Sequence, residues 1–471
     1  MSEVLSRTES ICPECLARIP AVRVLHDEDV YLEKDCPAHG HSKTVIWRGQ
    51  PAFTSWVRPK TPTHPRKPFT EVKQGCPYDC GLCPEHRQQS CCVLLEVTQR
   101  CDLHCPVCFA DAANNPPPDL SHVEINAWYE RLLAAGGPFN IQLSGGEPCV
   151  RGDLPEIIRL GRTHGFTFFQ LNTNGLRIAR DFGYLSALKE AGLSTVFLQF
   201  DGTRDEIYKV IRGRELLDKK MTVIENCGKL DIGVVLVPTL IPNVNTDDIG
   251  NILYLALNHM PSVRGVHFQP VSYFGRYPKA PTDEMRITIP EVIRSIESQT
   301  RGLIPAGTLC PPGGENALCS FHGNYVLMPD GALTPLTRHK TDSCCCTPIP
   351  AAEGAVRSRE FVAEHWSSPA PLAELPVLGG PSLGEWDVFL ERKRTHTFCV
   401  SGMAFQDAWT LDLDRLRDCY IHTASPDERL VPFCAYNLTD KMGKSLYRNR
   451  DSKISRFSSG QNQEILESDI A

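Results

Sequence analysis

The sequence predicts an α/β protein whose centre is a parallel sheet of βα units. Between Cys92 and Tyr273, short apolar runs alternate with amphipathic stretches such as 154–162 and 248–257, which is the pattern of strands joined by helices. The residues best suited to chemistry follow the ends of these runs, where parallel α/β folds place their sites. The six predicted strands are 93–97, 140–143, 167–171, 195–200, 233–239 and 265–269.

The first 50 residues are predicted to form a small metal-knuckle domain. Cys12-Pro-Glu-Cys15 and Cys36-Pro-Ala-His39 are two short ligand pairs separated by twenty residues that suit a hairpin. Two knuckles at this spacing can hold one metal ion between them. Zinc is the ordinary ion for a site of mixed cysteine and histidine ligands.

Residues 51–91 are predicted to be a linker followed by a second metal segment. Proline is frequent from 51 to 68, and a Cys-x3-Cys-x2-Cys motif follows at Cys76, Cys80 and Cys83. With Cys91 as a fourth thiolate, this segment could hold a fully ligated, electron-carrying iron-sulfur cluster. A four-cysteine zinc site is the alternative.

A second Cys-x3-Cys-x2-Cys loop follows the first predicted strand of the sheet. Cys101, Cys105 and Cys108 are close enough to hold three irons of a cubane cluster, leaving the fourth iron free to bind a small molecule. A structural zinc knuckle would require a fourth protein ligand. It would also leave Gly145-Gly146-Glu147-Pro148, after the second strand, without explanation.

These two motifs together resemble the radical S-adenosylmethionine (SAM) superfamily. The resemblance implies that residues 92–280 form a partial (βα)6 TIM-like barrel, in which a reduced 4Fe-4S cluster cleaves SAM to a 5'-deoxyadenosyl radical. It implies no catalytic side chain beyond the cluster. The residues it implies for SAM binding are Gly145, Gly146, Glu147, Asn172, Asn174, Gln199 and Asp201.

The C-terminal half carries further cysteines and is predicted to hold another auxiliary cluster within residues 281–448. Its candidate ligands are Cys399, Cys419 and Cys434, together with Cys310 or Cys319. The run Cys344-Cys345-Cys346 lies in a polar stretch and receives no role. Residues 449–471 are predicted to be a disordered tail.

The composition limits which cellular compartment and which classes of binding partner are expected. The 471 residues contain 21 cysteines, which in a chain without an export signal suit metal sites better than disulfides. Lys and Arg total 49 against 56 Asp and Glu, a net charge of −7 without a basic run that would favour nucleic acid. Neither a membrane-spanning stretch nor a signal peptide is recognisable, so a cytoplasmic protein is expected, peripheral to the membrane if its substrate is a lipid.

Over roughly residues 10–445 the chain also resembles one family within that superfamily. The N-terminal knuckles, Gly-Cys-Pro-Tyr-Asp-Cys-Gly-Leu-Cys-Pro from 75, Cys-Pro-Val-Cys-Phe-Ala-Asp-Ala from 105 and Val-Pro-Phe-Cys-Ala-Tyr-Asn from 431 are similar to the tetraether lipid synthases. Members of that family are also described as hydroxymethylpterin methyltransferases. The resemblance suggests a rubredoxin-like iron as an alternative to zinc in the N-terminal knuckle.

The predicted activity is carbon-carbon bond formation or methylation at an unactivated carbon of a lipid or small-molecule (pterin) substrate. An electron donor such as a flavodoxin or ferredoxin is expected. Two alternatives remain open from the sequence: a peptide-modifying radical SAM maturase with auxiliary clusters, and a non-enzymatic iron-sulfur redox relay. The relay would account for the cysteines but not for the SAM motif.

Overall fold

The computed structural model describes residues 2–112, 116–338, 349–369 and 384–448. An antiparallel sheet of four strands forms the N-terminal unit, with its strands in chain order. Two of its three connections, those after the first and third strands, carry the predicted metal ligands, with Cys36 as the last residue of the third strand. The strands are β1 (Ser2–Ile11), β2 (Arg18–His26), β3 (Asp29–Cys36) and β4 (Gly40–Arg48).

The central sheet begins with β5 and alternates with helices as the sequence predicts. Its strands are buried along most of their length, since helices cover the outer face and the barrel interior covers the inner one. These strands are β5 (Cys92–Thr98), β6 (Asn140–Gly145), β7 (Phe169–Thr173), β8 (Thr195–Gln199), β9 (Gly233–Val237), β10 (Thr239–Leu240) and β11 (Val263–Pro270).

Helices pack on the outside of this sheet. Ser121 and Glu124 form a reciprocal capping box at the start of the first long helix, which fixes where it begins. The helices from the linker through the barrel are α1 (Phe53–Trp56), α2 (His122–Ala134), α3 (Leu154–Thr163), α4 (Leu176–Arg180), α5 (Phe182–Ala191), α6 (Asp205–Arg212), α7 (Leu217–Lys229), α8 (Ile249–Asn258) and α9 (Ile289–Gln299).

The C-terminal segment continues the same sheet at both edges. One of its strands runs parallel to β11 and another parallel to β5, so the parallel part of the sheet extends beyond the six predicted strands. The remaining elements are β12 (Ser320–Leu327), β13 (Leu333–Pro335), α10 (Ala351–Trp366), α11 (Glu385–Thr395), β14 (Thr397–Met403), α12 (Leu413–Arg417), β15 (Ile421–Ala424), β16 (Leu430–Pro432) and α13 (Phe433–Asn437).

The strand order is β13-β12-β14-β11-β9-β8-β7-β6-β5-β15-β16, and β10 pairs with β11 off this path. The six predicted strands correspond to β5, β6, β7, β8, β9 and β11 with small shifts of their ends. The predicted fold class is therefore confirmed: a mainly parallel α/β sheet with a separate N-terminal metal-site sheet. The sequence did not reveal that β14 and β15 would extend the sheet, because pairing between distant strands is decided by packing.

Helix α10 covers the amino ends of the barrel strands. The Asn140 side chain, at the start of β6, donates to the backbone of Arg359 (3.0 Å), and the Arg264 side chain donates to the backbone of His365 (3.0 Å). The backbone of Trp366 lies so close to Gly233, at the start of β9, that a Cβ there would meet its carbonyl at 2.2 Å. The barrel is thus closed at this end.

No helix in the described ranges is long and apolar enough to cross a bilayer. The Cys344-Cys345-Cys346 run and the predicted tail at 449–471 lie outside the described residues.

Candidate active site

The Cys101–Cys108 loop leaves the carboxyl end of β5 and forms one wall of a cavity of about 610 Å³. Cys105 is buried and Cys101 and Cys108 are half-buried, packed with Leu103 and Tyr208. Arg276 fixes the loop from the far side: its backbone exchanges two 2.9 Å hydrogen bonds with that of Cys108, and its Nε donates to the Cys105 carbonyl at 3.1 Å.

The environment of these thiols suits ligands of a positively charged centre. Burial raises the pKa of Cys101 to about 12 and raises that of Cys105, where the nearby Arg212 guanidinium opposes the shift. Thiolates in such a place need a metal to stabilise their charge.

Gly145 and Gly146 lock the end of β6 against this loop. A Cβ on Gly145 would meet the Thr98 carbonyl at 2.0 Å, and one on Gly146 would meet the Arg100 carbonyl at 2.2 Å, so only glycine permits this approach. The same backbones are joined by hydrogen bonds from Gly146 N to Thr98 O (2.9 Å) and from Glu147 N to Arg100 O (2.8 Å). The two motifs therefore form one unit.

Glu147 lines the cavity, but its carboxylate is engaged by the protein. It accepts hydrogen bonds from the backbone of Cys149 (3.0 Å), the hydroxyl of Thr173 (2.7 Å) and the backbone of Asn174 (2.7 Å). Burial raises the pKa of Glu147, and these hydrogen bonds oppose the shift. Its visible role is to hold the turn after β7 in place.

The predicted amides reach the same cavity. Asn174 donates to Asp102 in the cysteine loop (2.7 Å) and caps the Leu176 backbone (2.9 Å). Asn172 and Gln199 also line the cavity. Gln199 Oε1 is buried and has no hydrogen-bond partner in the described part of the chain. A ligand that brings a hydroxyl or ammonium donor, as SAM does, fits this unpaired acceptor.

Asp201 does not line the cavity. It is fully buried and forms a two-pronged ion pair with Arg212, whose side chain does reach the cavity. Asp201 therefore orients Arg212, whereas the sequence suggested a contact with SAM. Arg212 itself was missed, because nothing in its local sequence distinguishes it from a surface arginine on an amphipathic helix.

Lys220 is a second cation that the sequence did not reveal. It is fully buried, and Nζ donates to the Asn174 carbonyl at 2.6 Å. Burial lowers the pKa of Lys220 to about 8, while the negative charge of Asp201 opposes the shift. The turn that carries Asn174 is thus supported from both sides, by Glu147 and by Lys220.

The N-terminal quartet forms a compact metal site. The ligand atoms of Cys12, Cys15, Cys36 and His39 all lie within 4.8 Å of one another. His39 Nδ1 is 3.6 Å from Cys12 Sγ and 3.5 Å from Cys36 Sγ. These separations match the edges of a tetrahedron with metal–ligand bonds of about 2.0–2.3 Å. Hydrogen bonding to His39 lowers the pKa of Cys36 to about 6, which favours the thiolate form that binds metal.

The thiols of the cysteine loop at 76–83 lie close together, and Cys91 is not part of this group. Asp79 organises this loop by accepting hydrogen bonds from three successive backbone amides, those of 73, 74 and 75. The thiols of Cys76 and Cys80 are hydrogen-bonded to each other, and Cys83 interacts electrostatically with both of them. Cys91 instead lies on the cavity wall beside Cys92, where the charges that act on it are those of Glu315 and Arg359.

The five C-terminal cysteines in the described part of the chain divide into a group of three and two that lie elsewhere. Cys319, Cys419 and Cys434 act on one another electrostatically, and Arg415 donates to the Cys319 sulfur at 3.5 Å. Cys399 lies on β14 with Arg264 as its charged neighbour, and Cys310 lies near Arg58. The structure therefore favours Cys319 over Cys310 and separates Cys399 from the predicted set, because β14 carries it into the barrel wall.

Two family models match the chain. One, described as the radical SAM superfamily, matches residues 95–256, and the other, described as the HMPTM N-terminal zinc ribbon domain, matches residues 4–48. The chain is 37% identical to 7,8-dihydro-6-hydroxymethylpterin dimethyltransferase of Methanocaldococcus jannaschii, over 92% of this chain and 93% of that protein. It is 33% identical to the probable GTP 3',8-cyclase of Methanothermobacter thermautotrophicus over 30% of this chain and 44% of that protein.

Similarity to solved structures is weaker. Methylornithine synthase aligns over 61% of this chain and 85% of that chain, with 15% identity and a TM-score of 0.34. An anSMEcpe structure with bound AdoMet and peptide aligns over 45% of this chain and 58% of that chain, with 19% identity and a TM-score of 0.35.

Proposed function

The chain belongs to the radical SAM family that includes 7,8-dihydro-6-hydroxymethylpterin dimethyltransferase, and on that premise we propose that it methylates a reduced pterin. The radical SAM chemistry follows from family membership. The pterin is taken from the relative, whose similarity extends over nearly the whole of both chains. Among the candidate substrates that the sequence allowed, the pterin is the one supported by this relative.

The observation that carries the proposal is one cavity shared by the cysteine loop, the SAM-binding candidates and the barrel interior. Cys101, Cys105 and Cys108 would hold the 4Fe-4S cluster, and Gln199 would accept a donor from SAM. When bound, the cluster supplies the electron that cleaves SAM to an adenosyl radical. The protein's part is to hold both groups at the carboxyl ends of the strands and to enclose the substrate below them.

Enclosure is the second contribution of the fold. Helix α10 closes the amino end of the barrel, and Phe274, Phe405 and Phe433 line the cavity near its cysteine-bearing end. A closed, water-poor interior protects a carbon radical from side reactions. These features support a radical reaction on a small enclosed substrate.

We propose two auxiliary clusters outside the SAM site. Cys76, Cys80 and Cys83 would supply three ligands of one, and Cys319, Cys419 and Cys434 three ligands of the other. The support is that each trio is assembled by the fold, the first through its loop and the second from three separate segments. An external flavodoxin or ferredoxin would supply electrons.

The N-terminal quartet is proposed to hold zinc. Its three cysteines and one histidine, its tetrahedral spacing and the match to a zinc ribbon family all support a structural ion. The rubredoxin-like iron remains the alternative that metal analysis would identify.

The proposed function is tested with anaerobically reconstituted full-length protein, SAM, dithionite and 7,8-dihydro-6-hydroxymethylpterin. We expect the pterin to stimulate 5'-deoxyadenosine formation and, with further SAM molecules as the methyl donors, a pterin product heavier by one or two methyl groups in mass spectra. Cys105→Ala should abolish 5'-deoxyadenosine, whereas Cys227→Ala, which removes an isolated buried thiol on α7, should not. Stimulation by a lipid extract or a peptide, with none by the pterin, would overturn the proposal.

A further inference from the structure

Three amide side chains inside the barrel form a hydrogen-bond chain with one direction. Gln170 Nε2 donates to Asn172 Oδ1 (2.7 Å), Asn172 Nδ2 donates to Gln142 Oε1 (3.3 Å), and Gln142 Nε2 donates to the Cys92 sulfur (3.3 Å). Each amide thus gives its NH2 group to the next acceptor. The carbonyl oxygen at the head of the chain, Gln170 Oε1, is buried and finds no donor among the described residues.

This unpaired oxygen lies deep in the barrel. Gln170 is fully buried and pairs in register with Gln142 on one side and with Thr195, the first residue of β8, on the other. Gln199 is four residues further along β8, so at a rise of about 3.3 Å per residue the two unpaired acceptors are separated by roughly 13 Å along the strands. The upper acceptor is at the carboxyl end of its strand, the end of the barrel that carries the cysteine loop, and the lower one is near the amino end, which α10 covers.

Flat rings line the cavity on the side of β8, where Phe197 is two residues beyond Thr195, the register partner of Gln170. Phe197 on β8 stacks on Trp366 of α10, with ring centroids 5.4 Å apart and planes at 20°. His267 on β11 lies 5.4 Å from Phe197 and 6.1 Å from Trp366. Burial lowers the pKa of His267 to about 4, and its Nδ1 is hydrogen-bonded to the Ser401 hydroxyl at 2.8 Å. A neutral imidazole and two aromatic rings therefore line this part of the cavity.

We propose that this lower chamber, defined by Gln170, Phe197, His267 and Trp366, binds the ring edge of a planar heterocycle that presents an amide N–H beside an amino group. A ring N–H of the ligand donates to Gln170 Oε1, and the ring packs against the aromatic side chains. The 2-amino-4-oxopyrimidine edge shared by pterins and guanine has this chemistry. The inference rests on the proposed function and deepens it by naming the part of the substrate that is recognised.

The direction of the amide chain supports this choice of ligand. A donor to Gln170 would complete the chain as far as Cys92, and successive hydrogen bonds of this kind strengthen one another. An alkyl chain in the same place would leave Gln170 Oε1 buried and unpaired, which is unfavourable. A ring anchored at its pyrimidine edge also leaves its opposite edge directed away from α10, toward the cysteine-bearing end of the cavity.

The test is equilibrium binding to the reconstituted full-length enzyme, measured without turnover. The ligands are 6-hydroxymethyl-7,8-dihydropterin, its derivative with one methyl group on N3 and two on the 2-amino nitrogen, and guanosine. The proteins are the wild type, Gln170→Met, Gln170→Glu and the matched control Gln299→Met. Gln299 lies on α9 outside the cavity, where it bonds the backbone of Gly250 and Thr246.

For the unmodified pterin, we expect Gln170→Met to weaken binding at least about tenfold, because the acceptor is lost while the volume is kept. Gln170→Glu keeps an acceptor and should still prefer the unmodified pterin to the methylated one. Gln299→Met should bind like the wild type. The methylated pterin should bind the wild type and Gln170→Met equally, because its pyrimidine edge has no N–H to donate to Gln170.

The outcomes separate the inference from the proposed function. Equal binding of the unmodified pterin to the wild type and Gln170→Met would overturn the inference and leave the pterin proposal standing. Guanosine binding that depends on Gln170, with no pterin binding, would support the chamber and count against the pterin substrate. If Gln170→Met fails to fold, loss of the pterin preference in Gln170→Glu would overturn the inference.

Discussion

Arg212 donates two hydrogen bonds to Asp201, from Nε to Oδ2 at 2.6 Å and from Nη2 to Oδ1 at 2.8 Å. Both side chains are buried, and the same guanidinium also reaches the Cys105 thiol. The Arg212 charge beside the cysteine loop is therefore itself held in place by a carboxylate just beyond the end of β8. Asp201 acts on the site through this arginine.

Asp201→Asn should destabilise the protein strongly, because it leaves the Arg212 charge buried without its partner. We expect the free energy of unfolding to fall by about 3–5 kcal/mol, measured by urea denaturation under anaerobic conditions. Asp247→Asn is the matched control, since it breaks the exposed ion pair with Arg204 and should cost no more than about 1 kcal/mol. Similar losses in the two variants would contradict this account.

Gly146→Ala should displace the cysteine loop from the end of β6. The new Cβ would lie 2.2 Å from the Arg100 carbonyl oxygen. Because that oxygen belongs to the backbone, the clash can be relieved only if the backbone moves. We expect fewer irons per chain after reconstitution, counted together with the absorbance of the cluster. Gly152→Ala makes the same change where a Cβ meets nothing within 4 Å, and it should retain the wild-type iron count. A full iron count in Gly146→Ala would show that the contact can relax.

His39→Ala should remove the metal ion from the N-terminal site, because three cysteines alone leave the tetrahedron incomplete. Elemental analysis should show a loss of about one zinc per chain compared with the wild type. His41→Ala, two residues away, removes an exposed histidine that is not part of the quartet and should keep the ion. Retention of zinc in His39→Ala would exclude His39 as a ligand.

His267 should contribute to loss of stability in acid. Burial lowers its pKa to about 4, below the ordinary value of 6.5, so between these values the unfolded chain binds more protons than the folded one. The stability contributed by the neutral ring is fully present above about pH 6.5 and is lost as pH falls toward 4. His267→Gln should flatten this decline by up to about 1.4 kcal/mol per pH unit in urea titrations. Parallel curves for the two proteins would contradict the prediction.

Much of the barrel could be predicted because its signals are local. Each of the six predicted strands is a short apolar run, the first four are followed by distinctive residues, and the structure has a strand at each position. The strands β14 and β15, which flank the six predicted strands, were not predicted as members of this sheet. Their pairing with β11 and β5 joins segments more than a hundred residues apart, and no periodicity in either segment indicates its partner.

The sequence by itself determined the groups of candidate ligands whose members are close along the chain. Cys101, Cys105 and Cys108 share one loop, and the quartet from Cys12 to His39 needs only one hairpin to bring its two pairs together. Short spacing limits the conformations of the intervening backbone, so residue types and spacing are enough to predict a site.

Only the tertiary structure decided which distant residues meet. In the tertiary structure Arg212 lies against Cys105, and Cys319 is grouped with Cys419 and Cys434. Cys91 lies on the cavity wall, and the amide side chains of Gln170, Asn172 and Gln142 form a hydrogen-bond chain that ends at Cys92. These contacts depend on strand register and helix packing, which sum many weak interactions over the whole chain. No short stretch of sequence contains that information.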